Sequence, residues 1–412
     1  MRNNRTLRTI VLLAVVAGFV FVGVTSANAV SLSGRFGVWS YLRDDSVDHV
    51  QVVPLLSVNL RNLDKGGAWS FESTLRGYAD YQNGWADASS ALRVHRALLI
   101  WKPKTKPWEV RAGQQWVYEG VARGNVTGLW AGYKPCSAGE VHVFAGSRIP
   151  SSLNLTEENP DGGVAAGISL QRRFGKRLFK LSYYYVGKDG DVLYNGAGLD
   201  YACTAITDVT MRVRLHFNLE QSNIETGQVS AFWQTNDRLL LSLDARTETP
   251  RIFEDSYFTR FLEDVSTNAV RGGAQYLVYQ QLYVTGMGYA VFTEEDLLYK
   301  ARAGVGCKMM EFGYTHWLAA DKGDMDGFYG EIRHDYRTFE GRAGFDYSRG
   351  SNSEIRPNTE SQVIFGGLQW SPCNKSTLGA RIEHLKDPAH SEDWRALFSL
   401  VTTFRSKVRS GS

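Results

Sequence analysis

The 412-residue chain holds only 10 prolines and 4 cysteines. Cys136, Cys203, Cys307 and Cys373 lie far apart with no C-x-x-C pair, which excludes the short-spaced ligand sets of structural zinc sites. An exported chain is free to oxidise them, and the three pairings that four cysteines allow stay open. Beyond residue 24 no apolar run approaches the ~20 residues that a membrane-crossing helix needs. Nucleotide loops, dinucleotide fingerprints and metal-spaced His/Glu clusters are missing, so no cofactor and no metal is expected. An excess of one charge is missing too. Met1–Ala29 reads as a secretory signal, with Arg2, Arg5 and Arg8 before the apolar run Ile10–Val24 and Ala27-Asn28-Ala29 in the form of a cleavage site. Its loss takes three of the 46 basic residues and none of the 43 acidic ones, leaving 43 of each. A neutral mature chain offers no charge argument for nucleic acid.

What the chain has in quantity is glycine and aromatics: 41 Gly, 20 Tyr, 20 Phe and 11 Trp, which suits strands with aromatic girdles. The stretch Gly327–Ser348 shows the grammar best. Phe328, Gly330, Ile332, His334 and Tyr336 alternate with Tyr329, Glu331, Arg333 and Asp335. After Arg337-Thr338 the pattern restarts, with Phe339, Gly341, Ala343, Phe345 and Tyr347 against Glu340, Arg342, Asp346 and Ser348. Successive side chains leave a strand on opposite faces, so this is a two-strand hairpin with one apolar and one ionic face. Trp69–Gln82 repeats the pattern, with Glu72, Thr74, Arg76 and Asp80 on its polar side. Met211–Glu220 sets Arg212, Arg214 and His216 against Met211, Val213 and Leu215. Leu239–Arg246 sets Asp244 and Arg246 against Leu241 and Leu243.

Connections alternate in length. Short ones (63–66, 102–107, 173–176, 235–238, 337–338, 372–376) interleave with longer polar ones (44–48, 83–90, 150–163, 188–198, 247–268, 320–327, 350–361, 386–393). Short turns on one rim and long loops on the other describe an outer-membrane barrel. The expected fold is therefore all-β: a single antiparallel transmembrane barrel of about 22 strands (18 to 22), since 197–209 and 275–312 read ambiguously. It follows a signal over 1–29, spans 30–404 and leaves a tail over 405–412.

A barrel this wide is not filled by its wall side chains alone. No separate plug is evident. In the longest loop, Phe253, Tyr257, Phe258 and Phe261 recur at roughly helical spacing, which makes them candidates for a constriction folded into the mouth, beside the equal alternative of a solvated or partner-binding cap. The inward rows carry both signs: Glu72, Arg76, Arg212, Arg214, His216, Asp244, Arg246, Glu331, Arg333, Asp335, Arg342, Asp346 and Arg381 are the candidate pore-lining residues. The run Arg212-Arg214-His216 is the best electropositive patch and leans toward small polar or anionic solutes. Aromatics near strand ends (Trp39 and Tyr41, Trp101 and Trp108, Trp116, Trp130 and Tyr133, Tyr183 to Tyr185, Trp370, Trp394) are expected in interface belts.

By Val110, Arg111, Gly113, Gln115, Gly128, Leu129, Tyr133 and Pro135 in the stretch Trp108–Pro135, the chain resembles porin-like outer-membrane barrels of the alginate-export and substrate-specific porin kind. Gln114 stands where those barrels tend to carry Arg. The resemblance implies passive or substrate-selective diffusion through the outer membrane, and insertion by the barrel assembly machinery reading a C-terminal aromatic. Phe404 would fill that role, although Arg405–Ser412 follow it.

Two other classes compete. A structural sheath enclosing or docking a periplasmic partner protein would also be wide and unplugged. An outer-membrane hydrolase needs a serine and a histidine within reach on neighbouring strands, and the eight histidines are scattered; no enzymatic activity is expected. Cleavage after Ala29 predicts a mature chain starting at Val30, which intact-mass measurement of the membrane-extracted protein checks.

Overall fold

A computed structural model describes residues 30–44, 49–80, 90–149, 162–249, 251, 266–293, 297–319, 323–350, 360–386 and 392–407. The strands are β1 (Ser31–Asp44), β2 (His49–Arg61), β3 (Trp69–Asp80), β4 (Ser90–Trp101), β5 (Trp108–Glu119), β6 (Ala122–Cys136), β7 (Gly139–Ile149), β8 (Val164–Phe174), β9 (Arg177–Lys188), β10 (Asp191–Cys203) and β11 (Val209–Asn218). They continue as β12 (Asn223–Gln234), β13 (Leu239–Glu248), β14 (Thr267–Tyr279), β15 (Leu282–Phe292), β16 (Leu297–Gly306), β17 (Met310–Ala319), β18 (Gly323–Tyr336), β19 (Phe339–Gly350), β20 (Glu360–Cys373), β21 (Ser376–Lys386) and β22 (Asp393–Lys407). Each pairs antiparallel with its sequence neighbours, and β1 pairs with β22 from Ser31↔Lys407 to Asp44↔Trp394, closing a 22-stranded barrel. The last strand runs three residues past Phe404, so Arg405 to Lys407 are part of the ladder.

The alternation fixes which face is which. Phe328, Ile332, Tyr336, Leu129, Ile168, Leu181 and Trp394 are exposed on the outside. Their neighbours point inward and pair: Glu331 with Arg342 at 3.2 Å, Arg333 with Glu340 at 3.2 Å, Arg381 with Glu383 at 2.6 Å and Arg96 with Glu72 at 2.7 Å. An apolar exterior around an ionic interior is what a spanning barrel needs, because lipid offers no partner to charge or to free backbone groups. The molecule is thus a barrel of the bacterial outer membrane.

Several sequence expectations are corrected. The long connection expected over 188–198 is a two-residue turn, Asp189-Gly190, with φ of +55° and +97°. Asp-Gly tolerates that left-handed pair, and the rest of the segment continues as β10, with Tyr194 buried inside. Trp130 and Tyr184 lie inside rather than in a belt, 5% and 1% exposed. Trp39 and Tyr41 share the inward face of Arg35, because their register partners across β2 belong to the inward row of Asn59. Trp69, Trp108, Trp370 and Trp394 do face outward. The four cysteines are unpaired and lie at the short-turn rim, at or just after the ends of β6, β10, β16 and β20.

Glycine lets aromatic rings lie flat on the wall. A Cβ on Gly304 or Gly313 would come within 2.3 and 2.4 Å of atoms of the inward Tyr329. The facing alternation carries a stability prediction. Ile332→Arg, on the lipid face, costs about 2–4 kcal/mol near the bilayer midplane. Urea unfolding in vesicles, followed by tryptophan fluorescence, measures the loss, and Glu331→Gln one residue away is expected to change stability far less.

Candidate functional site

Among the described residues, the ladder between neighbouring strands is shortest at β4–β5. β5 pairs with β4 only over Val110–Gln114 against Ala97–Trp101. Beyond Gln114 it stays bonded to β6, from Gln115↔Val126 to Glu119↔Ala122. Residues 115–119 of β5 thus leave β4, and with Ala122–Gly124 of β6, beyond the β6–β7 ladder that ends at Asn125↔Ile149, they form a hairpin end turned into the lumen. Gly113 makes the departure possible: its φ is +123°, and a Cβ there would lie 2.1 Å from the carbonyl oxygen of Ala97.

Inside, the hairpin lies against β7–β10. Val117, Val121, Ala122 and Val126 bury themselves among Trp130, Phe144, Ala165, Tyr184, Val186 and Tyr194, forming an apolar core within the barrel. Polar ties fix the tip. The Val121 amide donates to Ser182 Oγ at 2.9 Å. Gly120, with φ of +67°, sits so close to Ser182 that a Cβ would approach its Oγ to 2.2 Å. Glu119 accepts from Lys180 Nζ at 2.7 Å and Ser169 Oγ at 2.9 Å, and lies 3.0 Å from His142 Nδ1. His142 Nε2 is 2.8 Å from Glu140, so both ring nitrogens face carboxylates.

The third tie comes from the segment after β13, three strands along the wall from β10. Arg251 follows β13 and turns its guanidinium inward. It donates to the Val121 carbonyl at 3.0 Å, to both Glu225 oxygens at 2.9 and 2.8 Å and to Tyr194 Oη at 2.7 Å. It also stacks 4.0 Å above the Tyr194 ring, and Tyr194 in turn donates to Glu225.

The hairpin's other face, Trp116, Tyr118 and Arg123, looks into the lumen. Trp116 and Tyr118 stack 6.0 Å apart and stay exposed. Beneath the tip a cavity of about 780 Å³ runs along β9–β13, lined among others by Tyr118, Arg123, Lys180, Asp200, Arg212, Arg214 and Asp244. Arg214 pairs with Asp200 at 3.0 Å, His216 lies 3.4 Å from Asp200 and is buried, and Asp244 accepts from Gln228 and Ser230. Arg123 and Arg212 have no acid partner among the described residues.

The pore-lining candidates are therefore placed in three groups. Arg212, Arg214 and Asp244 line this cavity, His216 is buried beside Asp200 at 3.4 Å, and Arg246 lies beside Glu248 at 3.7 Å. Glu331, Arg333, Asp335, Arg342, Asp346 and Arg381 lie together on the inward face of β18–β21. Glu72 and Arg76 sit on β3. Phe253, Tyr257, Phe258 and Phe261 fall outside the described residues. Sequence reading missed the hairpin and its anchors Glu119 and Arg251.

No protein-family model and no curated protein sequence matches this chain. Solved barrels match its shape. The translocation pore of the P pilus usher PapC has a TM-score of 0.55 at 9% identity, over 90% of this chain and 99% of that one. Acinetobacter baumannii OccAB4 gives 0.42 at 9% identity over 92% and 99%, and Pseudomonas aeruginosa OpdK, solved with vanillate, 0.42 at 8% over 92% and 99%. At these identities the likeness is one of fold alone: a large outer-membrane β-barrel.

Arg251 has a measurable role. Arg251→Ala removes charged hydrogen bonds to the tip region, each worth about 1.5–3 kcal/mol, so the tip is expected to open roughly tenfold or more often. Limited trypsin digestion from the outer rim reads this as faster cleavage at Arg123.

Proposed function

We propose that the protein is a diffusion channel for small polar or anionic solutes, narrowed by the inward β5–β6 hairpin. One observation carries the reading: the hairpin is held inside the barrel by three ties, and its free face joins Arg123 and Arg212, two arginines without acid partners among the described residues, to a cavity of about 780 Å³. Charges aimed at a solute path set its ion preference, and arginine remains ionised throughout the physiological range. The other inward rows, from Glu72 and Arg76 to Arg381, are read as a mostly self-paired, hydrated wall. The 253–261 aromatics stay an additional candidate constriction.

A sheath around a partner protein fits less well, because the hairpin and its core occupy the space such a partner would fill. One serine and one histidine do approach each other, Ser169 Oγ to His142 Nδ1 at 3.4 Å, but their surroundings do not favour a hydrolase. The serine hydroxyl donates to Glu119, and the imidazole faces carboxylates on both sides. The reading includes no catalytic step.

Planar-bilayer recording tests it. The wild type is expected to give a small, stable conductance favouring anions. Arg251→Ala combined with Glu119→Gln is expected to raise the conductance, and Arg123→Gln with Arg212→Gln to lower the chloride-to-potassium permeability ratio. A silent wild type, or a ratio unmoved by the double arginine variant, overturns the proposal.

A further inference from the structure

A second feature of the lumen lies away from the hairpin's cavity. Across the inward face of five neighbouring strands, one row reads Val401, Gly37, Leu55, Arg76, Arg93, from β22 through β1, β2 and β3 to β4. The ring of Trp39 covers Gly37, so the first three places are apolar. The last two are arginines directly opposite each other. Like charges at such a pair stand about 4.5–5.5 Å apart at Cβ and repel. Elsewhere on the inward face the register also puts Arg333 opposite Arg342, but there Glu340 and Glu331 pair with them at 3.2 Å each. Arg76 and Arg93 have no such partner among the described residues. An apolar strip inside a hydrated lumen and an uncompensated arginine pair at its end are each unfavourable alone, and one ligand relieves both.

The row ends at the interrupted wall. Ser90–Arg96 of β4 pair with β3 and, among the described residues, with no strand on the other side. Among the described residues the Val94 carbonyl is covered there by the Gln114 side chain at 2.7 Å. Counting roughly 2.5 Å of height per residue up from the Trp101 belt, residues 92–96 lie roughly 12–23 Å above it, within the ~25 Å apolar band. Unpaired backbone at that depth is tolerated only where it lines a cavity or meets protein.

We propose that this row is a binding site for a small anionic amphiphile. Arg76 and Arg93 hold its head, and Leu55, Trp39 and Val401 carry its tail. The site goes beyond the hydrophilic path through the cavity under the hairpin. Its ligand arrives from the aqueous lumen or, through the gap beside β4, from the bilayer.

Dodecanoate is the probe, titrated calorimetrically against the full chain in nanodiscs, with acetate as a head without a tail. Dodecanoate is expected to bind and acetate not. Arg76→Gln with Arg93→Gln is expected to weaken dodecanoate at least tenfold, and Leu55→Asn to weaken it as well. Heat-modifiable gel mobility shows that each variant is folded. Unchanged affinity in the folded double arginine variant, or acetate binding as tightly as dodecanoate, overturns the site. The source is read with a bimane label at Leu55→Cys, the native cysteines replaced by serine. Quenching by a phospholipid brominated on its acyl chain marks entry from the bilayer, and quenching by dissolved bromododecanoate alone marks the lumen and overturns the lateral route. Conductance of the same variants separates this site from the channel: an open pore without dodecanoate binding removes only the site.

Discussion

Every backbone amide and carbonyl at membrane depth needs a partner, because hydrocarbon supplies none. That constraint dictates the closed ladder, from the β1–β22 seam around the full circle. It also gives departures from the ladder their meaning. A strand that abandons its neighbour must find other partners, and β5 finds them by remaining paired with β6 and burying its side chains against the inner wall. The hairpin is therefore a piece of wall turned inward, which makes it stiffer than a loop hung from the rim.

The interior is organised by the same economy of partners. Most inward charges are answered across the strands, as Glu331 is by Arg342 and Asp200 by Arg214. Such paired charges make a hydrated, neutral surface and contribute little individually to stability. Among the described residues, those without an acid partner include Arg35, Lys300 and Arg302, which lie over aromatic rings, Arg123 and Arg212 under the hairpin, and the Arg76–Arg93 pair, which face each other across β3–β4. In the proposed channel, attraction for a passing anion would concentrate at those places.

Much of this was legible in the residues. Period-two alternation at Gly327–Ser348 and Trp69–Gln82 fixed strands, their facing and the ionic interior. The 235–238 and 337–338 turns were readable from turn chemistry. The Asp189-Gly190 turn was overlooked because polar residues around it imitate a loop. Trp130 and Tyr184 were misplaced because an aromatic near a strand end reads the same whether it faces lipid or an inner core. The anchors of the hairpin were illegible for a plainer reason: Glu119 meets Lys180 61 positions away, and Arg251 meets Val121 across 130.

The sequence by itself determined the all-β class, the strand grammar and which side of each strand meets water, because these depend on neighbours one or two residues apart. Only the tertiary structure decided that β5 and β6 turn inward at Gly113, and that Arg251 reaches their tip. It also decided which arginines keep an acid beside them. Those outcomes depend on which strands the closed circle brings face to face, and no local pattern encodes that.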